Sequence, residues 1–401
     1  MDQAGGAALK VIEDAHRDFP ATERYTYMDV SARGLIPRVA RTALDVHLDE
    51  RMMGEADKYA YFDMIERVRG RFARHINASS ADEVAFTKNI TEGLNALAAS
   101  VDWKGGDNVV LCPELEHPAN VYPWLNQQRR GVELRMVSPR DAAIPVDEMI
   151  ARIDARTRAV AVSTVTFAPG FRTDLAAIGK ACRAKGVMFV VDAAQSAGVL
   201  EDDVQRNCID VLSASTQKGL LGLYGMGLMY CRREWAEQLQ PAYLSRFGVD
   251  VGEGSEADIG SFEYRLAKGA RRFDIGNYNF PAALNVDVTL DYLYSFGTAR
   301  IESYVIGLGH ALARGMLGLG LSVMGGEPGP HLAHIVTVGT MSGGHDSTGD
   351  PRMQSLYDHL VANRVRLSIR KGVLRFSLHL YNTAKDVERV LELTREWLKK
   401  Q

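Results

Sequence analysis

Cysteine is scarce in this chain, with four in 401 residues. Cys112, Cys182, Cys208 and Cys231 are scattered, mostly inside apolar runs, and show no CxxC spacing. That excludes a disulfide framework and a zinc site and leaves reduced core residues. The 10 histidines include no HExxH pair, so His331, His334 and His345 are read as loop residues and no metal is expected. An excess of one charge is also missing: 47 basic against 50 acidic side chains leave a net charge of −3, with no pull toward nucleic acid or a membrane surface. The stretch MDQAGGAALKVIEDAHRDF carries acidic residues and no continuous apolar run, which argues against a signal peptide or spanning helix and points to the cytoplasm. No strand leads into GxGxxG, which disfavours a dinucleotide-dependent dehydrogenase. Internal repeats and low-complexity tracts are absent as well. Small-molecule chemistry remains.

What the chain does have is apolar patterning, with 46% hydrophobic residues, enough for a substantial core over two or three domains. Between residues 80 and 231, short apolar runs (VAF, NVVLCP, VELRMVS, AVAVSTVTF, VMFVVDAA) alternate with helical patterns such as TEGLNALAASV and TDLAAIGKACRAKG. Runs that are continuous rather than alternating are those of a parallel sheet covered on both faces, so the spacing predicts a doubly wound α/β fold. DVLSASTQKGLLGLYGMGLMYC reads as two strands joined by a Gly-rich, Lys-bearing turn, a hairpin-like extension at the sheet edge. Phe62, Ile65, Val68 and Phe72 fall at helical spacing and predict an amphipathic helix on the core. An N-terminal segment (1–24), a large domain (25–281) and a smaller α+β domain (282–401) are expected, with a mobile loop at 339–352.

Three features of this pattern carry chemistry together. Asp192 ends the run VMFVVD, and Lys218 lies in a later strand-end turn, which sets both at the carboxyl edge of the sheet, where ligands bind in open α/β folds. Thr91-Glu92-Gly93 lies where the first strand passes into its helix, and a helix N-terminus offers backbone N–H groups to a phosphate. An Asp at a strand end can be an ordinary cap, and a Lys in a Gly-rich turn can be merely solvated. A phosphate seat, a carboxylate for a ring nitrogen and a lysine for an aldehyde are, jointly, what pyridoxal 5′-phosphate needs.

FTKNITEGLNALA, ELEHPANVYPW, VVDAAQSAGV, SASTQKG, RRFDIGNYN and LRFSLHLYNTAKDVERV together resemble the class V aminotransferase superfamily of fold-type I pyridoxal-phosphate enzymes. The nearest likeness is to SUF-type cysteine desulfurases and isopenicillin-N-epimerase-like proteins, from about residue 25 to the end. The resemblance implies a large domain with a mixed, mostly parallel seven-stranded sheet. It makes Lys218 the lysine that carries the cofactor and the base for the α-proton, and Asp192 the partner of the ring nitrogen. His117 would stack over the ring, Ala194 would pack under it and Gln195 would donate to the phenolic oxygen. Thr91, Glu92, Ser215 and Gln217 would hold the cofactor's phosphate end, with Gln217 replacing the usual histidine. Arg375, near Ser377 and the YNT signature, would grip the α-carboxylate of an amino acid through a bidentate guanidinium. Asn277 would reach the phosphate across a subunit boundary, implying a homodimer with shared sites.

The chain departs from that pattern twice. Desulfurases carry a nucleophilic cysteine just before the carboxylate arginine, whereas VANRVRLSIRKGVLRFS has none, and no cysteine follows Cys231. Cysteine desulfurase through that loop is therefore rejected. Phe167 stands where desulfurases have an asparagine; either the aromatic occupies that place, or the turn is shifted by one residue and Thr166 serves. The pocket rim is expected from Ser31, Ala32, Arg33, Gly34, Arg172, Tyr224, Arg246 and Phe247. Arg33, Arg172 and Arg246 are either readers of a substrate's anionic group or solvated and ion-paired cations. An aminotransferase-type reaction is favoured, ahead of β-elimination, epimerisation, decarboxylative C–C chemistry and a non-catalytic regulatory use of the fold.

Overall fold

The computed structural model describes residues 9–250, 252, 263–342, 344 and 346–400. The apolar runs become seven strands: Val84–Thr87 (β1), Asn108–Leu111 (β2), Glu133–Met136 (β3), Thr157–Ser163 (β4), Met188–Asp192 (β5), Val211–Ser215 (β6) and Gly227–Cys231 (β7). They form one sheet in the order β1-β7-β6-β5-β4-β2-β3. Strands β3 to β6, with β2 between β3 and β4, pair in parallel, and β7 runs antiparallel to both its neighbours. The segment 211–231 does form an antiparallel pair, yet it is not an edge. β1 adds on the far side of β7, so β7 is an interior strand and every residue of it is buried. The runs read as unbroken because helices cover both faces: the exposed strand residues are Glu133 and Met136 on the edge strand β3 and Arg158 near the start of β4.

Helices Arg38–Met53 (α1), Lys58–His75 (α2), Ile90–Ser100 (α3) and Leu175–Lys185 (α4) flank this sheet. The periodic set on α2 buries Ile65, Val68 and Phe72, while Phe62 stays half-buried against Phe247 and Phe280. Arg69, on the same helix, is wholly buried. Its Nη2 lies 2.8 Å from Asp274 Oδ2, which also accepts from the Tyr278 hydroxyl at 2.9 Å, and Asp274 Oδ1 accepts from Phe86 N at 2.8 Å. One carboxylate thus ties α2, β1 and the segment before Phe280 together.

Phe280–Tyr294 (α5) packs on α1 and α2 and shares their core through Ala283, Val286 and Leu290. Thr298–Gly318 (α6), Pro351–Ala362 (α7) and Ala384–Leu398 (α8) enclose a second core with a three-stranded antiparallel sheet. Its strands are Ile335–Val338 (β8), Ser368–Arg370 (β9) and Val373–Ser377 (β10), in the order β8-β10-β9. Two-residue parallel pairing of Thr26–Tyr27 with Val365–Arg366 brings the start of the chain onto this unit. Of the expected loop 339–352, Gly343 and His345 lie outside the described residues. Elsewhere in it Asp346 pairs with Arg370, and Pro351 already opens α7. His334 lies in a bend directly before β8 and is completely buried. Among the described residues no helix is long and apolar enough to cross a membrane, and no group of three or more His, Cys, Asp or Glu could hold a metal ion.

Candidate active site

Because β7 runs against β6 and β1 against β7, the strands β1, β2, β4, β5 and β6 all point their carboxyl ends the same way. The loops leaving that edge enclose a cavity of about 480 Å³. Asp192 and Ser215 line it from the last positions of β5 and β6, with Ser163 from the end of β4. Ala194, Gln195, Gln217, Lys218, His117, Phe167, Tyr224 and Thr91 complete most of the wall.

The loop bearing Lys218 is held by backbone contacts from distant segments. Gly34 N donates to Gln217 O at 2.8 Å, and a side chain on Gly34 would stand 2.2 Å from Lys218 O. Gly198, at φ +86°, presses on Gly219 so closely that a Cβ would lie 2.3 Å from its carbonyl oxygen. His379 Nε2 donates to that same carbonyl at 2.8 Å, while its Nδ1 accepts from Leu380 N at 2.6 Å. This pairing requires the neutral ring with its proton on Nε2, and burial, which pushes the imidazole down to about 4, keeps it neutral. Neither His379 nor its role was visible in the sequence, since its partner is a carbonyl rather than a side chain.

Asp192 is buried and accepts from Ala194 N at 2.8 Å. Loss of water raises its carboxyl pKa, a shift opposed by the Ala194 amide and by the charge of Lys218. Burial likewise pulls the Lys218 ammonium from 10.5 down to about 8, with Asp192 pulling the other way and Arg375 and Arg370 adding to the fall. At pH 7.5 this changes the neutral amine from about 1 in 1,000 to about 1 in 4. Capture of an aldehyde by cofactor-free protein should then speed up about tenfold between pH 7 and pH 9 and level off above that, followed by absorbance. A rate still climbing steeply at pH 10 would show that Lys218 keeps its ordinary basicity.

A buried carboxylate that sequence reading overlooked sits behind this pair. Glu116 accepts from Ser163 N at 2.7 Å, from Asn120 Nδ2 at 3.0 Å and from the Ser163 hydroxyl. Burial, reinforced by the Asp192 charge, raises its carboxyl to about 7 against those three donors. The only signal was its place before His117 in ELEH. His117 itself is exposed, with Nδ1 accepting from Ala119 N at 3.1 Å.

Not every expected residue reaches the cavity. Thr91 lines it from the first turn of α3, which Asn89 caps by accepting from Glu92 N at 2.9 Å. The Glu92 side chain instead turns back to accept from Lys88 N and lines an adjoining cleft together with Asn277. Arg172 faces elsewhere: its Nη1 is 2.7 Å from Glu302 Oε1, in a cleft between α4 and α6 residues. Arg33 is exposed and outside the cavity wall, although Ser31 and Gly34 brace the site from behind. Arg246 and Phe247 line a separate groove.

The alternative between Phe167 and Thr166 is resolved. The Thr166 hydroxyl oxygen is buried and accepts from Gly170 N at 3.2 Å and Phe171 N at 3.0 Å, so it belongs to its own turn, while Phe167 borders the cavity. Arg375, in mid-β10, is fully buried. Its Nε donates to Ser368 Oγ at 3.2 Å and its Nη1 to Phe167 O at 3.2 Å. Burial lowers its pKa to about 10, with Asp29 opposing.

Pyridoxal 5′-phosphate can be tested against this cavity through its unmatched atoms. Ser215 Oγ and Gln195 Oε1 are buried without a hydrogen-bond partner, an arrangement that costs free energy unless a ligand supplies the missing partners. Together with a lysine that is neutral in about 1 in 4 molecules at pH 7.5, a buried carboxylate and the N-terminal turn of α3, they suit a molecule with an aldehyde, a ring nitrogen and a phosphate.

Comparison with known proteins agrees. The profile of the aminotransferase class-V family matches residues 46–390. A probable cysteine desulfurase of Methanothermobacter thermautotrophicus is 28% identical over 96% of this chain and 97% of its own length. An uncharacterized aminotransferase of Bacillus subtilis is 25% identical over 93% of this chain and 95% of its own. Among solved structures, the apo cysteine desulfurase of Thermococcus onnurineus NA1 superposes with a TM-score of 0.85 at 25% identity, covering 99% of this chain and 100% of that one.

Proposed function

Since the chain belongs to the aminotransferase class-V family and is a pyridoxal-phosphate-dependent enzyme, we propose that it transfers the amino group of an α-amino acid, with Lys218 as the residue that moves the proton at Cα. The observation that carries this reading is the placing of Lys218 and Asp192 on the wall of one cavity that none of the four cysteines lines. When bound, the cofactor supplies an electron sink for negative charge at the substrate's Cα. Asp192, buried at the end of β5, would hold the ring nitrogen and favour its protonated form. Ser215, Gln217, Thr91 and the first amides of α3 would bind the phosphate, and Gln195 would hydrogen-bond the phenolic oxygen. His117 and Ala194, from the cavity wall, would hold the ring. Lys218, neutral in a large fraction, takes the proton from Cα and returns one, acting as a general base and then a general acid. Arg375 orients the substrate through its carboxylate.

The enzyme works as a homodimer. Support comes from the exposed Val39, Val46, Met52 and Met53 along α1, and from Asn277 lining a cleft beside the cavity, where a neighbouring subunit's cofactor end would lie. Four free thiols, three of them buried, fit a cytoplasmic location.

A second reading, β-elimination with C–S cleavage, is supported by the full-length likeness to a probable cysteine desulfurase. With no thiol at the cavity wall, sulfur would leave to solution rather than to a protein cysteine. The experiment is to mix purified holo-protein with amino acids of both hands and measure products. Transamination leaves a keto acid and an equal amount of pyridoxamine phosphate; elimination from cysteine releases sulfide, pyruvate and ammonia with the cofactor unchanged. Absence of any absorbance response to every amino acid would refute both.

A further inference from the structure

Phe167 is fixed at its backbone, so any movement there is a rotation of the side chain away from its ring contacts. Its N–H donates to Leu115 O at 3.2 Å, and its carbonyl accepts from Arg375 Nη1 at 3.2 Å. The adjoining turn is secured by the Thr166 hydroxyl, so the segment cannot slide. The ring borders the cavity and stands almost perpendicular to His117, with centroids 5.1 Å apart and planes at 74°. Its face lies under the Arg375 guanidinium, whose carbon is 5.4 Å from the ring centroid. Arg375, in turn, has no exposed surface and is not part of the cavity wall.

We propose that Phe167 is a gate over Arg375: the ring shuts the guanidinium off from the cavity and must swing aside before a substrate carboxylate can reach it. The proposal rests on the reading of Arg375 as the carboxylate-binding group. In the closed position the cation is satisfied by the aromatic face, the Phe167 carbonyl and the Ser368 hydroxyl. A carboxylate that makes charge-assisted hydrogen bonds to the same guanidinium outcompetes the neutral ring, because those bonds are the stronger interaction in a dry site. A ligand without a carboxylate has nothing to displace the ring with. The gate therefore selects for the anionic group before the amine is engaged. Opening also changes the contact between Phe167 and His117, so carboxylate capture is felt at the histidine on the cofactor face.

The test uses holo-protein in three forms: wild type, Phe167→Ala, and Phe167→Leu, which keeps apolar bulk but has no aromatic face. Phenylglyoxal modifies arginines, and its rate at Arg375 is read by peptide mass spectrometry. Arg375 should react slowly in wild type and about tenfold faster in Phe167→Ala, the factor that about 1.4 kcal/mol of cation–π attraction represents, with Phe167→Leu between them. Absorbance titration with glycine, L-alanine and D-alanine should show the bound amino acid held about tenfold more tightly by Phe167→Ala. Unchanged labelling in both variants overturns the gate. Faster labelling without tighter amino-acid binding overturns the carboxylate role of Arg375 instead. Melting curves run in parallel, and Phe167→Leu carries the comparison if Phe167→Ala does not fold.

Discussion

Replacing Lys218 with alanine is expected to cut turnover by at least about 10⁴-fold, the upper range for loss of a positioned acid–base group. It should also abolish the covalent link between chain and cofactor. The two losses have one cause: the same amine carries the cofactor and then shuttles the proton at Cα. Lys88 is the other lysine at the cavity wall, but it is exposed to water. Lys88→Ala should therefore cost little. Borohydride reduction followed by mass measurement of the denatured chain separates the cases: wild type and Lys88→Ala gain the mass of the cofactor, Lys218→Ala does not. Retention of more than a few per cent of activity in Lys218→Ala would end the assignment of the lysine.

The largest stability effect should come from Asp274→Ala. The carboxylate is the counter-charge of Arg69, and both side chains are about 1% exposed, so its removal strands a guanidinium in the core. The remaining Glu66 lies 3.4 Å from Arg69 Nε and is half in water, too screened to compensate. Two further donors, Phe86 N–H and the Tyr278 hydroxyl, lose their acceptor. Breaking a buried pair on one side costs about 3–5 kcal/mol, which lowers the melting midpoint by roughly 5 °C. The double variant Arg69→Met with Asp274→Ala removes the stranded charge and should recover most of that loss. Thermal unfolding followed by circular dichroism checks both. A double variant no more stable than Asp274→Ala would mean that the hydrogen bonds to Phe86 and Tyr278, not the charge, dominate.

Legibility in the sequence followed physical range. Asp192 and Lys218 could be found because strand periodicity sets them at one edge of a sheet, and that edge is dictated by right-handed strand–helix–strand connections, whereas Ser215 came only from the family resemblance. Thr91 could be found from the strand-to-helix passage before it. The rim arginines could not be sorted, because a charge is visible in sequence while its partner is not: Glu302, which claims Arg172, lies 130 residues away. The direction of the Glu92 side chain was hidden for the opposite reason. Its partner is the backbone N–H of Lys88, four residues back, and local capping competes with any ligand for that carboxylate. The pairing of β1 with β7, which turns a supposed edge into an interior, is likewise a long-range register that apolar runs do not encode. His379 escaped because a buried polar group with backbone partners leaves no pattern of spacing, and Glu116 because Ser163, which donates to it twice, lies 47 residues away.

The clamp on the lysine loop ties catalysis to the order in which the chain assembles. Gly34, Gly198 and His379 come from the beginning, the middle and the end of the polypeptide, and all three close on residues 217–219. Contacts that span so much sequence form after local ones, since each must offset the entropy of closing a long loop. A growing chain that has completed its seven-stranded sheet still lacks the last of these braces until His379 docks. Lys218 is therefore presented in its working pose by the finished molecule, and an unfinished one offers the cofactor no competent amine.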